Sequence, residues 1–229
     1  MALLSDRDRA YLTDLFAKEL TDDVTVHFFT VAAPKLAVPG RATCDYCQET
    51  QALLEEVAGL TTHIRLAVHD RDREPALAAE LGIDKVPAIV LEGKAAGRVR
   101  YYGIPAGYEF RSLVEDLIDV ATGTHGLSER TLQVLEELPG AVHLQVFVTP
   151  TCPYCPGAAR LAHRLAIASA KVTADVIEAN EFPELSDRYH VSGVPQTVVN
   201  DTHSFVGAQP EARFVAELRR AFVGHAAPA

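Results

Sequence analysis

The chain has 229 residues, enough for one large domain or two ordinary ones. Its apolar fraction of 48% and charged fraction of 23% are those of a globular protein with a sizeable core. A net charge of −10, with no basic run to offset it, argues against a nucleic-acid or anionic-membrane partner.

The start of the chain, Met1-Ala-Leu-Leu-Ser5, is too short in apolar residues for a signal peptide, and no apolar stretch reaches membrane-spanning length. The expected location is therefore cytoplasmic, where paired cysteines are more often catalytic or metal-binding than structural. Ser5 caps a predicted amphipathic helix running to about Leu20. Val24–Thr30 is β-branched and aromatic and reads as a strand. Cys44–Ala58 carries good helix formers and stops at Gly59. Strand 64–69, helix 74–81, two short antiparallel strands at 88–91 and 99–102, and an apolar-periodic helix at 108–120 complete the first half.

The second half repeats this order: helix 128–138, strand 143–149, helix 155–170, strand 172–178, helix 182–190, strands 196–200 and 204–206, and helix 211–222. Thr122-Gly-Thr-His-Gly126 is small, polar and glycine-rich, and marks the boundary between domains 1–122 and 123–229. Self-similarity is sharpest in the spacing. Cys44 lies 43 residues before Pro87, and Cys152 lies 43 residues before Pro195. The predicted fold is α/β: two tandem domains of one kind, each a mixed β-sheet flanked by helices, with the Gly-linked strand pair at the antiparallel edge. The halves differ in a segment at 31–43, which the second half replaces by Pro150-Thr151. It is a lid, a partner surface or a tolerated insertion.

Strand, Cys-x-x-Cys, helix and then Val-Pro before the next strand is the thioredoxin-type arrangement. Disulfide exchange needs a thiolate nucleophile and a second thiol close enough to resolve the mixed disulfide. Cysteines at i and i+3 where a helix begins meet both needs, because free amides and the helix dipole point at the first sulfur. Cys44-Asp-Tyr-Cys47 places Asp45 beside its sulfurs, and a neighbouring carboxylate disfavours a thiolate. Cys152-Pro-Tyr-Cys155 has no such charge, so Cys152 is expected to be the faster nucleophile. A cis turn at Pro87 and Pro195 would expose the backbone of Val86 and Val194 to an extended substrate peptide. Tyr46 and Tyr154 either shield the sulfurs or are placed by packing. Arg160, His163 and Arg164 read as a solvated helix face, and His69 and His203 as surface or satisfied core groups.

With Cys152-Pro-Tyr-Cys-Pro156 and Gly193-Val-Pro195 in view, the whole chain resembles the glutaredoxin-like protein disulfide oxidoreductases of thermophilic archaea and bacteria. The resemblance implies redox roles for Cys44, Cys47, Cys152 and Cys155, and cis-prolines at Pro87 and Pro195. It also implies disulfide-containing proteins as substrates, no bound cofactor or metal, and a separate thioredoxin-reductase-like flavoprotein using NADPH as the electron source. The chain itself has no G-x-G-x-x-G dinucleotide motif. It departs from thioredoxin where a buried acid would stand six residues before each first cysteine, at Val38 and Val146. Gly207-Ala-Gln-Pro210 is only loosely similar to a glutathione clamp.

Three alternatives stand beside this reading. One is an electron relay between a flavoprotein reductase and a peroxidase, since tandem thioredoxin folds also open some peroxide-reducing enzymes. Another is a four-cysteine structural zinc site. The 104 residues between the two pairs far exceed the usual gap of about 15–20 in such sites. A third is a non-catalytic scaffold that keeps the fold.

Overall fold

The computed structural model describes residues 3–32 and 44–223. Segment 33–43, with Val38 and most of the insertion before the first cysteines, lies outside the described residues. In chain order the first half comprises α1 (Asp6–Glu19), β1 (Val24–Thr30), α2 (Cys47–Ala58), β2 (Ile64–Asp70), α3 (Pro75–Leu81), β3 (Ala88–Glu92), β4 (Arg98–Tyr102) and α4 (Tyr108–Thr122). The second comprises α5 (Glu129–Glu136), β5 (Val142–Val148), α6 (Cys155–Ala168), β6 (Val172–Glu178), α7 (Pro183–Arg188), β7 (Gln196–Val199), β8 (His203–Val206) and α8 (Glu211–Val223).

Local chemistry accounts for the ends of these elements. Ser5 Oγ accepts the N–H of Asp8 at the start of α1, and Ser128 Oγ accepts that of Thr131 at the start of α5. Each half thus begins with the same capped helix. The helix expected to open at Cys44 opens at Cys47, with Asp45 and Tyr46 in a turn ahead of it. The first cysteine therefore stands just outside the helix end, where the free amides point.

The strands form one eight-stranded sheet in the order β2-β1-β3-β4-β6-β5-β7-β8. Expectation and structure part here. β4 is not an edge strand: it pairs in parallel with β6 of the second half, Arg98 opposite Thr173 through Tyr102 opposite Ile177. Four strands from each half are thus hydrogen-bonded into a single sheet. Among the described residues β2 and β8 are the outer strands, and β2 shows Arg65 and Val68 to solvent.

Following the pairings gives the direction of each strand. β1 is antiparallel to β3, β3 antiparallel to β4, β4 parallel to β6, and β6 parallel to β5. β1 and β5 therefore run the same way, and both Cys-x-x-Cys turns emerge at the same end of the sheet. Four strand spacings separate β1 from β5, or about 19 Å.

The core follows the apolar pattern. Phe28, Phe29, Ile89 and Val99 in the first half, and Leu144, Val146, Phe147 and Ile177 in the second, are essentially inaccessible. Helix α6 crosses the seam, packing on β4, β5 and β6 and against α4. Its last carbonyls accept N–H groups from the turn before β4, Ala96 to Ile167 and Gly97 to Ala166. The halves are therefore joined by sheet, by helix packing and by backbone hydrogen bonds.

Candidate active sites

Each cysteine pair is closed as a disulfide, with Cα atoms 5.5 Å apart in both. Cys155 is fully buried at the first position of α6, and Cys152 is 8% exposed at its mouth. Cys47 is likewise buried, and Cys44 is half-buried. In each pair the second cysteine is the more sheltered, an arrangement suited to attack by the first and resolution by the second.

At the second pair, the N–H of Cys155 donates to Cys152 Sγ at 3.1 Å. When the disulfide opens, that amide is already aimed at the sulfur that must carry charge, a charge-assisted interaction on top of the helix dipole. Cys152 Sγ also lies 3.7 Å from the Val194 carbonyl oxygen. The Val-Pro turn is thus at the sulfur, as the matched spacing predicts.

Both the Val86–Pro87 and Val194–Pro195 bonds are cis. Behind each turn a glycine with positive φ closes a strap: Gly103 (φ 92°) donates to the Pro87 carbonyl at 3.0 Å, and Gly207 (φ 91°) to the Pro195 carbonyl at 2.7 Å. The repeat read from the sequence is thus also a repeat of backbone geometry.

Tyr154 is 71% exposed and Tyr46 47% exposed, so neither is placed by burial in the core. Tyr108 is a third exposed ring, and its N–H donates to the Pro150 carbonyl just before Cys152. The turn before Tyr108 requires glycine: a Cβ on Gly107 would lie 2.2 Å from the Pro150 oxygen. The start of α4 in the first half is thereby held against the second cysteine loop.

One expectation fails outright. Arg160 and His163 are not a solvated face; both are buried between α6 and α4. Asp116, fully buried, receives Arg160, the Tyr101 hydroxyl and His163 Nδ1, and Arg160 reaches Asp119 at 2.6 Å. His163 Nε2 is 3.1 Å from the Arg100 carbonyl, so both ring nitrogens are engaged. Burial pushes the Asp116 carboxyl up, but His163, Arg160 and Tyr101 outweigh it and hold it below the ordinary carboxylate value. Arg164, by contrast, keeps an exposed side chain, 3.7 Å from Asp119. His69 and His203 are satisfied as expected, His69 by His27 and Glu74, His203 by Glu217.

Helix α4 carries a residue that sequence reasoning missed. Glu109 is 2% exposed, and neither of its carboxylate oxygens has a well-directed hydrogen bond. Burial raises its carboxyl to about 7, against the opposing pull of Ser112 and His163. One cavity is lined by Gly107, Ser112 and Glu115 of the α4 segment, and by Pro153, Pro156 and Arg160 beside the second cysteines. The two helices therefore run side by side from the same end, and Glu109 stands in the first turn of α4. Val146, where thioredoxin's acid would stand, is buried and apolar.

The four sulfurs do not form one ligand set, since the two pairs sit beyond β1 and β5 with three strands between. Among the described residues, no three or more His, Cys, Asp or Glu side chains are grouped to hold a metal ion, and no helix is long and apolar enough to cross a membrane.

Residues 35–115 and 142–220 each match the thioredoxin domain family. The chain belongs to the thioredoxin-domain family, as a tandem of two copies. A protein disulfide oxidoreductase from Aeropyrum pernix superposes on this tandem thioredoxin-domain protein with a TM-score of 0.84 at 30% identity, covering 96% of this chain and 94% of that one. The alkylhydroperoxide reductase AhpF of Enterococcus faecalis gives a TM-score of 0.81 at 28% identity, over 94% and 99%. Among curated relatives, the corresponding alkyl hydroperoxide reductase chain of Staphylococcus aureus is 24% identical over 156 residues. This thioredoxin tandem spans only 28% of that relative's length. Two thioredoxin folds, each with its own Cys-x-x-Cys disulfide, make it a thiol–disulfide oxidoreductase.

Proposed function

We propose that the protein exchanges disulfides with other proteins through both pairs, with domains 1–122 and 123–229 each forming one exchange unit. Cys152 is the nucleophile of the second unit and Cys155 its resolving thiol; Cys44 and Cys47 hold the same places in the first. The observation that carries this reading is the Cys155 amide aimed at Cys152 Sγ at 3.1 Å, beside the Val194 carbonyl. A substrate strand would lie along Val86 and Pro87, or Val194 and Pro195, and pair with the backbone of Val86 or Val194. Tyr46 and Tyr154 supply aromatic contact at the rim, the kind of residue favoured where proteins dock.

Proton transfer at the second unit falls to Glu109. Its buried carboxyl, poised about neutrality, takes the proton from Cys155 as that sulfur attacks, the task performed in thioredoxin by an acid on the preceding strand. Electrons come from a thioredoxin-reductase-like flavoprotein, in the cytosol. A relay to a peroxidase is the second reading. It is favoured by the likeness to the alkyl hydroperoxide reductase AhpF.

The test is trapping. The reduced Cys155→Ser variant, challenged with insulin, should accumulate a mixed disulfide, seen as a reductant-sensitive adduct by mass spectrometry. Cys152→Ser should not. Equal trapping by both variants would remove Cys152 from its assigned role.

A further inference from the structure

The two halves differ in what stands behind the glycine strap. In the second half a Cβ on Gly207 would meet only Gln209 Nε2, at 3.5 Å, because β8 is an outer strand. In the first half the strap lies at the seam. A Cβ on Gly103 would come within 2.6 Å of Glu178 Cβ and 2.8 Å of Glu181 Oε1. The next residue, Ile104, donates its N–H to Glu181 Oε1 at 2.6 Å. A carboxyl from the second half is therefore pressed against the backbone that hooks Pro87.

Glu181 also faces open space that reaches the Val-Pro turn of the first half. It lines a cavity of about 600 Å³ together with Val86, with Phe182 and Leu185 as part of the apolar wall. The charged groups on this cavity are Arg71, Asp84 and Lys85 from the first half and Glu184 and Arg188 from the second. Arg71 and Lys85 are both engaged with Asp84, through its carbonyl at 3.1 Å and its carboxylate at 2.5 Å. Burial is the main influence on Glu181 and raises its carboxyl to about 7; the Ile104 amide opposes this, while Glu178 and Asp45 add like charge. Asp45 stands between Cys44 and Cys47, so the first cysteine turn carries a negative charge that Glu181 senses.

We infer that Glu181 is the proton-exchanging carboxyl of the Cys44–Cys47 pair, lent to that site by the other half of the chain. The inference rests on the thiol–disulfide reading of that pair. Cys44 thiolate attacks a substrate disulfide; the Cys44–substrate S–S bond forms, the substrate S–S bond breaks, and the leaving sulfur takes its proton from the Glu181 carboxyl. Cys47 then passes its thiol proton to the Glu181 carboxylate and attacks Cys44. The Cys44–Cys47 bond closes, and the second substrate sulfur leaves with the electron pair and takes a proton from water. The substrate disulfide gains two electrons and the cysteine pair loses two, with Glu181 returned to its starting state.

The experiment uses the full chain carrying Cys152→Ser and Cys155→Ser, so that only the first pair reacts, and follows insulin reduction by the prereduced protein from pH 5 to 9. The profile should show an inflection near 7 besides that of the thiol. Glu181→Gln keeps an oxygen for the Ile104 N–H; it should erase the inflection and slow reduction below it about tenfold or more. Glu181→Asp keeps a carboxyl and should move the inflection without erasing it. Glu184→Gln, an exposed carboxylate on the same cavity, should change neither. An inflection unmoved by both Glu181 variants overturns the inference. A parent chain that reduces nothing at any pH overturns instead the disulfide-exchange reading of the first pair.

Discussion

Arg100 and Asp175 stand directly opposite one another across the seam between the two halves, and their side chains close a bidentate pair at 2.6 and 3.0 Å. Both are buried. The remaining guanidinium nitrogen, Nη1, donates to the Leu81 and Gly82 carbonyls, and Asp175 also meets His143 Nε2 at 2.7 Å. A buried pair so completely bonded fixes the register of β4 on β6, though its net contribution to stability is small.

Removing one partner is another matter, because it strands a buried charge. Arg100→Met or Asp175→Ala should each lose about 3–5 kcal/mol in urea unfolding. The double variant Arg100→Met with Asp175→Leu should recover most of that loss. Burial raises the Asp175 carboxyl, but His143 and Arg100 more than offset it, so it ends below its ordinary 3.8. Its folded value is depressed, so its stabilisation is present above the unfolded value and is lost as pH falls through the folded one. The wild type should therefore lose stability below about pH 4, and the double variant should lose less there.

Glu109 has the opposite sign. Its carboxyl is raised from 4.5 to about 7, so the folded state binds the proton more tightly than the unfolded chain. Stability should then fall as pH rises between those values, by about 3 kcal/mol for this nearly inaccessible group. Glu109→Gln should flatten that fall in chemical unfolding measured at pH 4.5 and 7.5. The same substitution should slow insulin reduction by the second pair about tenfold or more near neutrality.

How legible these features are in the sequence depends on whether their cause is local. The cysteine turns, the Val-Pro turns and their common spacing of 43 residues can be read because each is a short motif. The seam cannot. β4 looks like an outer strand in sequence, since nothing in Arg98–Tyr102 announces that Thr173–Ile177 will pair with it. Arg160 and His163 mislead for a related reason. Helix α6 is covered by the sheet on one side and by α4 on another, and the acids that satisfy Arg160 lie some 40 residues away. Glu109, Ser112 and Asp116 follow helical spacing along α4, which resembles a solvated stripe until a second helix is laid over it. The signal available was charge complementarity between that acidic stripe and the basic pair Arg160 and His163.

The two nucleophiles should also be distinguishable. Cys152 faces an aimed amide and no intervening charge, whereas Cys44 is followed by the carboxylate of Asp45. A thiolate is favoured by the first setting and disfavoured by the second. In single-pair variants, iodoacetamide should alkylate Cys152 with a half-maximal rate at lower pH than Cys44. Asp45→Asn should narrow the gap. A lower midpoint at Cys44 would reverse the assignment of roles.

The geometry restricts how the two pairs pass electrons between them. Exchange requires sulfur to contact sulfur, yet the pairs lie beyond β1 and β5, strands about 19 Å apart in one continuous sheet. The Arg100–Asp175 pair and the α4–α6 packing hold that sheet together, so the halves do not swing into contact without breaking buried charges. Transfer from one pair to the other should then be bimolecular, between two chains or through a shuttling substrate. A chain lacking Cys44 and Cys47, mixed with one lacking Cys152 and Cys155, should regain reductase-coupled turnover in proportion to the product of their concentrations. Full turnover by either variant alone would show that no relay is needed. A wild-type relay rate independent of protein concentration would show instead that the halves reach each other within one molecule.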